Sequence, residues 1–465
     1  MLEVTQQLAK FIADLRYEDI PAEVIDRAKL LMCDLVGIGV RARHEADSTL
    51  AMMRATEVLG ADGGTCGVFG DTRWFSPAAA ALMNGALGHS LNFDDTHADA
   101  SVHPSAVVVP AALAAAQLPG ASGRDVIVSI IAGYETICRL GQALGPDDHY
   151  ERGYHPTATC GAFAAAVAAS KVMGLNAKET ESALGIALSQ ASGTMQFVEN
   201  GAWTMRYQVG NAAKNGLVAA SFAREGFVGA THPLEGRYGF LNAFAPSPDA
   251  RKAIAEVGTL WETMNIAVKP YPGCRLAHTA VDTIIDLKRE HGVATKDIVS
   301  VVIELPELAY DLTGAPELQK RTPENMVDAQ FSIHFMSAVA LTEGRIYWDD
   351  FSKRLHDKET ARLMQRISAI KTTDSDHSRY RTRVSIALSD CNSLTRTLEL
   401  PKGEFGNFLT SLELRSKFRS LVAPCVGKEG EEWLHRTIMH FENESVDDLF
   451  HRTVPANNFL LAGED

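Results

Sequence analysis

Residues 84–110, NGALGHSLNFDDTHADASVHPSAVVVP, place two apolar, small-residue helices on either side of a short polar loop. The incoming helix, Ala-rich from Ser76, is expected to end near His89. The outgoing helix begins at Pro104, a residue suited to a first helical turn. Between them His89, Asn92, Asp94, Asp95, Thr96, His97, Asp99 and His103 fall within fifteen residues. Helices this apolar are buried on all sides, so the loop carries carboxylates and imidazoles to a place where they must pair or bind something. A solvated, Asp-rich turn is the plain alternative. Three histidines beside an Asp-Asp pair favour a site.

Outward from this loop, nearly every segment from Pro21 to about Gly258 reads as helix. PAEVIDRAKLLMCDLVGIGVRAR, RDVIVSIIAGYETICRLGQAL, AKETESALGIALSQASG and GNAAKNGLVAASFAREG carry apolar residues at helical spacing and stop at Gly, Pro or Asp. TATCGAFAAAVAASKVMGL is apolar almost all round and belongs at the centre of a bundle. From Thr259 the character changes. DIVSVVIELP alternates and is rich in Val and Ile, as a strand does. RTRVSIALSD and SLTRTLELP form a hairpin across Cys391–Asn392, and RLAHTAVDTIIDLKREHG, before the first strand, and VDAQFSIHFMSAVALTEG, after it, are helices. Amphipathic helix returns after Pro401 and is expected to pack on the first domain, with a loose tail, NNFLLAGED. The predicted architecture is mainly α: a large all-helical domain from residues 1–258 and 402–465, with a small α+β domain, 259–401, inserted.

A chain of 465 residues is long for one core, which agrees with two domains. The formal charge of −14 argues against binding nucleic acid or an anionic membrane. It leaves room for a small anion in a locally cationic pocket. The first twenty residues read as amphipathic helix with acidic residues, not as a secretory leader, and no apolar run is long enough to span a bilayer. Seven scattered cysteines without a CxxC read as reduced thiols in a cytoplasmic protein.

Four further stretches set reactive side chains in Pro- and Gly-punctuated loops beside apolar helices. ERGYHPTATCG holds His155 before Pro156. NGAWTMRYQVGNAAKNG holds Trp203, Arg206 and Lys214. VKPYPGCRLAH holds Lys269, Cys274, Arg275 and His278, and ELPELAYDLTG holds Tyr310. Singly, each has a plainer role: a helix cap, a snorkelling lysine, a surface charge, a packing ring. Together they suit proton transfer beside carboxylates. A His or Lys takes a proton alpha to a carboxylate, an acid returns one, and cations hold the developing charge. Nucleotide-binding glycine motifs and a GxSxG elbow are absent.

HSLNFDDTH…HPSAVVVPAALA, GYHPTATCGAFAAA, NGAWTMRYQVGNAAKNGLVAA followed by EGFVGATHPLEGRYGF, KPYPGCRLAH and KGEFGNFLTSLELRSKF together resemble, in order, the MmgE/PrpD family. That family includes 2-methylcitrate dehydratase, cis-aconitate decarboxylase and iminodisuccinate epimerase. The resemblance implies a large helical domain built from both ends of the chain and a small α+β lid domain. It also implies a homodimer working without metal or organic cofactor. Thr96, His103, His155, Lys269 and Tyr310 match positions that line the site in the decarboxylase branch. Two positions depart. Asn92 stands where that branch has Asp before Phe-Asp-Asp, and Met205, followed by Arg206, stands where the decarboxylase and dehydratase branches have Lys.

These readings converge on a cofactor-independent lyase, cytoplasmic and homodimeric, acting on a small di- or tricarboxylate by dehydration or decarboxylation. His103 is expected as the principal proton carrier, with Lys269, His155 and Tyr310 as further catalytic residues. Asn92, Asp94, Thr96, Met205, Arg206 and Arg275 are expected to bind substrate, Lys269 and Arg206 supplying much of the positive field. No metal is expected, because the loop's ligand types lack the i, i+4 spacing of a preformed helical site. An epimerase or isomerase of a dicarboxylate is the nearest alternative. A magnesium-dependent prenyl-diphosphate enzyme, suggested by Asp94–Asp99, lacks a second Asp-rich motif. A non-catalytic binding protein is suggested by Asn92 and Met205 and opposed by His103, Lys269 and Tyr310.

Overall fold

A computed structural model describes residues 3–118, 120–372 and 378–455 of the chain. The chain divides into two compact units, Met1–Val268 with Leu414–Asp465, and Lys269–Glu413. The fold is mainly α with a small α+β part, in agreement with the sequence pattern. The tail NNFLLAGED lies outside the described residues.

The first unit runs α1 (Val4–Asp14), α2 (Ala22–Glu45), α3 (Thr49–Val58), β1 (Asp62–Gly67), β2 (Trp74–Phe75), α4 (Pro77–Gly88), α5 (Pro104–Ala116), α6 (Gly123–Leu144), α7 (Pro146–Glu151), α8 (Pro156–Val172), α9 (Ala177–Leu188), α10 (Thr204–Arg224) and α11 (Phe240–Phe244). Its centre is α4, α5, α8 and α10, packed on one another through alanine and glycine. Every residue of α5 is buried, as its all-round apolar sequence requires. At the crossing of α4 and α10, a Cβ on Gly210 would lie 2.1 Å from the Leu82 carbonyl oxygen. Only glycine allows that approach. The β1–β2 ribbon departs from the all-helical expectation: DGGTCG (62–67) pairs antiparallel with Trp74–Phe75 across an irregular register. Its two adjacent glycines hide the period-2 signal that marks a strand. From Glu225 to Val268, too, the chain is mostly irregular, with α11 and short 3-10 turns.

The second unit runs α12 (His278–His291), β3 (Ile298–Leu305), α13 (Glu307–Thr313), α14 (Glu317–Lys320), α15 (Met326–Gln330), α16 (Ile333–Glu343), α17 (Trp348–Arg354), α18 (Lys358–Met364), β4 (Ile367–Lys371), β5 (Thr382–Leu388) and β6 (Ser393–Leu398). Its sheet has the order β4-β3-β5-β6, with β4 parallel to β3 and the other pairs antiparallel. The β5–β6 hairpin forms where the sequence placed it, with Cys391 at φ 68° in the turn. Val281, Ile284, Val301, Ile303, Val384, Ile386, Phe335 and Val339 form the core between sheet and helices. VDAQFSIHFMSAVALTEG is two helices, not one. The chain breaks at Phe331–Ser332, and the Ser332 hydroxyl accepts the Phe335 N–H at 3.0 Å to start α16.

α19 (Ser411–Met439), interrupted at Gly427 (φ 78°, ψ 171°), and α20 (Val446–His451) complete the chain. From Leu414 onward they belong to the first unit.

Candidate active site

The polar loop between α4 and α5 is held from several sides. Asn92 (φ 50°) and Ser101 (φ 52°) turn it through left-handed backbone, a conformation that costs little for Asn. The backbones of Thr96 and Ala267 exchange two hydrogen bonds, of 2.9 and 2.7 Å. His97 is buried. Its Nδ1 accepts the Ala100 N–H at 3.2 Å, so its Nε2–H donates to Glu262 Oε2 at 2.9 Å. Burial opposes ionisation of Glu262, but hydrogen bonds from His97 and Asn265 hold its carboxyl down to about 2. His97 is therefore a structural histidine.

The two adjacent aspartates face opposite tasks. Asp95 turns to the start of α5, where it accepts the Ser105 N–H at 3.1 Å and the Ser105 hydroxyl, which in turn meets the Tyr134 hydroxyl at 2.5 Å. Asp95 thus supplies the cap that α5 lacks locally. Burial, with Asp94 adding to it, pushes its carboxyl up to about 7.

Asp94 turns to the histidines. Its Oδ2 lies 2.7 Å from His89 Nδ1 and 3.2 Å from His103 Nδ1. Burial alone would raise its carboxyl, yet the two imidazoles hold it well below the usual range. The rings of His89 and His103 meet edge-on, 4.8 Å between centroids, and His155 lies 6.2 Å from His89. His155 is buried and donates from Nδ1 to Gln208 Oε1 at 3.0 Å. Burial, then the neighbouring His89, push it down to about 3. It is therefore neutral at ordinary pH, with Nε2 as its acceptor. The side chain of His103 is 20% exposed, against 1% for His89 and none for Asp94. Of the three it alone reaches solvent.

His103 and His155 hold matching places. Each precedes the N-terminal proline of a buried helix, α5 or α8. The His103 N–H donates to Thr157 Oγ1 in the first turn of α8 at 3.1 Å, so the two helices start side by side. Asp95 already accepts the Ser105 N–H of α5, and the positive ends of both helix dipoles lie at this place, where they favour negative charge.

The other expected residues are distributed more widely. Thr96 is in the loop, its hydroxyl buried without a hydrogen-bond partner among the described residues. Met205 lies partly buried in the first turn of α10. Arg206 pairs with Asp47 and donates to Ser48 Oγ at 2.8 Å, tying α10 to the α2–α3 turn. In the second unit, Lys269 is 1% exposed and Tyr310 lies on α13 with the Lys371 ammonium 5.5 Å above its ring. Arg275 is engaged by Glu404 Oε2 at 3.0 Å, the Lys402 carbonyl at 2.9 Å and His278 at 3.1 Å. Both arginines already hold a carboxylate.

Among the described residues, His89, Asp94 and His103 present three possible metal-ligand atoms within 4.8 Å of one another, as do Glu3, His232 and Glu235. In the first group the Asp94 carboxylate oxygen is hydrogen-bonded to His89 Nδ1 at 2.7 Å and lies 3.2 Å from His103 Nδ1. An imidazole oriented through Nδ1 can take and give a proton at Nε2. The sequence places His89 in the loop cluster without a role of its own, and does not single out Gln208.

A sequence model of the MmgE/PrpD N-terminal domain matches residues 6–253, and one of the MmgE/PrpD C-terminal domain matches residues 271–441. The chain is 29% identical to a cis-aconitate decarboxylase-like protein of Aspergillus oryzae over 465 residues, 95% of each chain. It is 30% identical to a cis-aconitate decarboxylase of Aspergillus terreus over 426 residues, 86% of this chain and 85% of the relative. It is 26% identical to the human cis-aconitate decarboxylase over 454 residues, 95% of this chain and 92% of the relative. With both domain models matched in order over most of its length, the chain belongs to the MmgE/PrpD family.

Proposed function

We propose that this protein is a cofactor-independent lyase that acts on a small di- or tricarboxylate, removing CO2 or water through proton transfer at His103. The observation that carries the reading is the Asp94–His103 pair, in which a buried carboxylate orients an imidazole that is itself open to solvent. Relatives named as cis-aconitate decarboxylase or cis-aconitate decarboxylase-like, matched over nearly the whole chain, support the lyase class. The paired starts of α5 and α8 favour an anionic substrate. Arg206 and Arg275 have carboxylate partners within the protein; Lys269 and Tyr310, which match site-lining positions of the decarboxylase branch, are the residues assigned to a substrate carboxylate.

Epimerisation of a dicarboxylate is the second reading. It is favoured by a neutral His155 beside the His89–His103 pair, which gives two imidazoles able to exchange a proton. One experiment separates the two: di- and tricarboxylates followed by proton NMR in deuterated water. A lyase gives loss of substrate with a new alkene or loss of CO2. An epimerase gives solvent deuterium at one carbon of a retained skeleton. No exchange or turnover with any such acid refutes both.

A further inference from the structure

Lys417 is 3% exposed, and three contacts define what it does. Its ammonium lies 2.6 Å from Asp34 Oδ1 on α2. It donates to the Phe93 carbonyl oxygen at 2.9 Å and sits 3.9 Å above the Phe93 ring. Phe93 immediately precedes Asp94. The C-terminal helix α19 therefore sends one buried cation to the peptide that carries the site carboxylate. The charged groups facing that cation are Asp34 from α2 and Asp94 and Asp95 from the loop.

We propose that Lys417, anchored by Asp34, is a positioning residue: it fixes the Phe93–Asp94 backbone and, through the Asp94 carboxylate, the imidazole of His103. This rests on the reading of His103 as the proton carrier. A buried ion pair is poor evidence for a role in stability, since well-packed apolar residues of similar volume often replace it at no loss. The same fact supplies the means of testing for a positional role. The Phe93 carbonyl is one of the loop's internal acceptors, and its partner arrives from a segment 324 residues away in sequence. Removing both charges leaves the core able to pack but frees the loop peptide at Asp94. Displacing a catalytic group by about 1 Å costs about a hundredfold in rate.

The test is the double variant Asp34→Leu/Lys417→Met, with Asp34→Asn/Lys417→Met as the second variant if the first does not fold. Two readouts are taken on whichever folds with a cooperative melt. The first, independent of any substrate, is the pair of downfield imidazole N–H resonances of His89 and His103 facing Asp94, assigned with His89→Gln and His103→Gln. The second is kcat and KM on the substrate found in deuterated water. The expected result is loss or marked shift of the His103 resonance, with kcat down about ten- to a hundredfold and KM changed far less. Parental resonances overturn the proposal, as does a parental kcat. If the parent turns over no carboxylate, the lyase reading fails on its own, while the resonances still decide whether Lys417 positions His103.

Discussion

His103 differs from its neighbours in reach: it shares the Asp94 carboxylate with His89, yet only His103 is partly open to solvent. His103→Ala should therefore lower turnover by about 10²–10⁴-fold in a protein that stays folded, the usual worth of general acid–base catalysis. His103→Gln should be nearly as inactive. Most of the activity surviving in Gln would show that the residue only positions, and would move the base to His155 or Lys269. Lys269→Met should weaken substrate binding by about ten- to a hundredfold, if a charge-assisted hydrogen bond worth about 1.5–3 kcal/mol is lost uniformly. An unchanged Kd would place the carboxylate elsewhere. At this scale the sequence displayed the reactive residue types but not their partners. Asp94 and His103 are legible as chemistry. That His89 is the second partner of Asp94 depends on the left-handed turn at Asn92. That Arg206 and Arg275 are already paired depends on Asp47 and Glu404, which lie 159 and 129 positions away.

At the scale of elements, α5 owes its start to Asp95, nine residues before its first turn begins, and this makes a second test possible. Asp95→Ala leaves the Ser105 N–H without its acceptor and should cost about 1–3 kcal/mol in urea unfolding. The pH dependence has a defined sign. The folded carboxyl titrates near 7, against 3.8 for its ordinary value. As pH rises between those values the unfolded chain releases the proton first, so stability contributed by this site is present in acid and lost as pH rises through about 7. Asp95→Asn cannot titrate. The stability of the parent relative to that variant should fall from about pH 4 to about pH 8, and a rise would contradict the assignment. The elements themselves were legible where a single period ran long enough: the buried α5 and α8, the strand β3 and the β5–β6 hairpin. β4, five residues at a sheet edge, and the glycine-rich β1 carry too little pattern to be read. α10 begins at Thr204, six residues before Gly210, where the sequence pattern places its start; the indole of Trp203, just before it, donates to Asp47.

At the scale of the whole molecule, the first unit is assembled from segments on either side of the second, so its stability depends on residues that follow the second unit in sequence. Phe418, Phe441 and Phe450 are all buried. Phe418 closes on the α2 backbone at Gly37, where a Cβ would lie 2.9 Å from its ring. Phe450 stacks on Phe69 with 5.3 Å between centroids. Removing a buried phenylalanine side chain costs about 3–5 kcal/mol, so the three together amount to about 9–15 kcal/mol, comparable with the entire stability of a typical domain, about 5–15 kcal/mol. A chain ended at Glu413 should therefore fail to form the first unit, although every residue of α4, α5, α8 and α10 is present. The measurement is amide hydrogen exchange on α5 and α8, the most deeply buried helices, compared between the full chain and residues 1–413. Slow exchange is expected in the full chain and fast exchange in the shortened one. Slow exchange on both helices in the shortened chain would mean that the C-terminal segment covers a unit already stable without it.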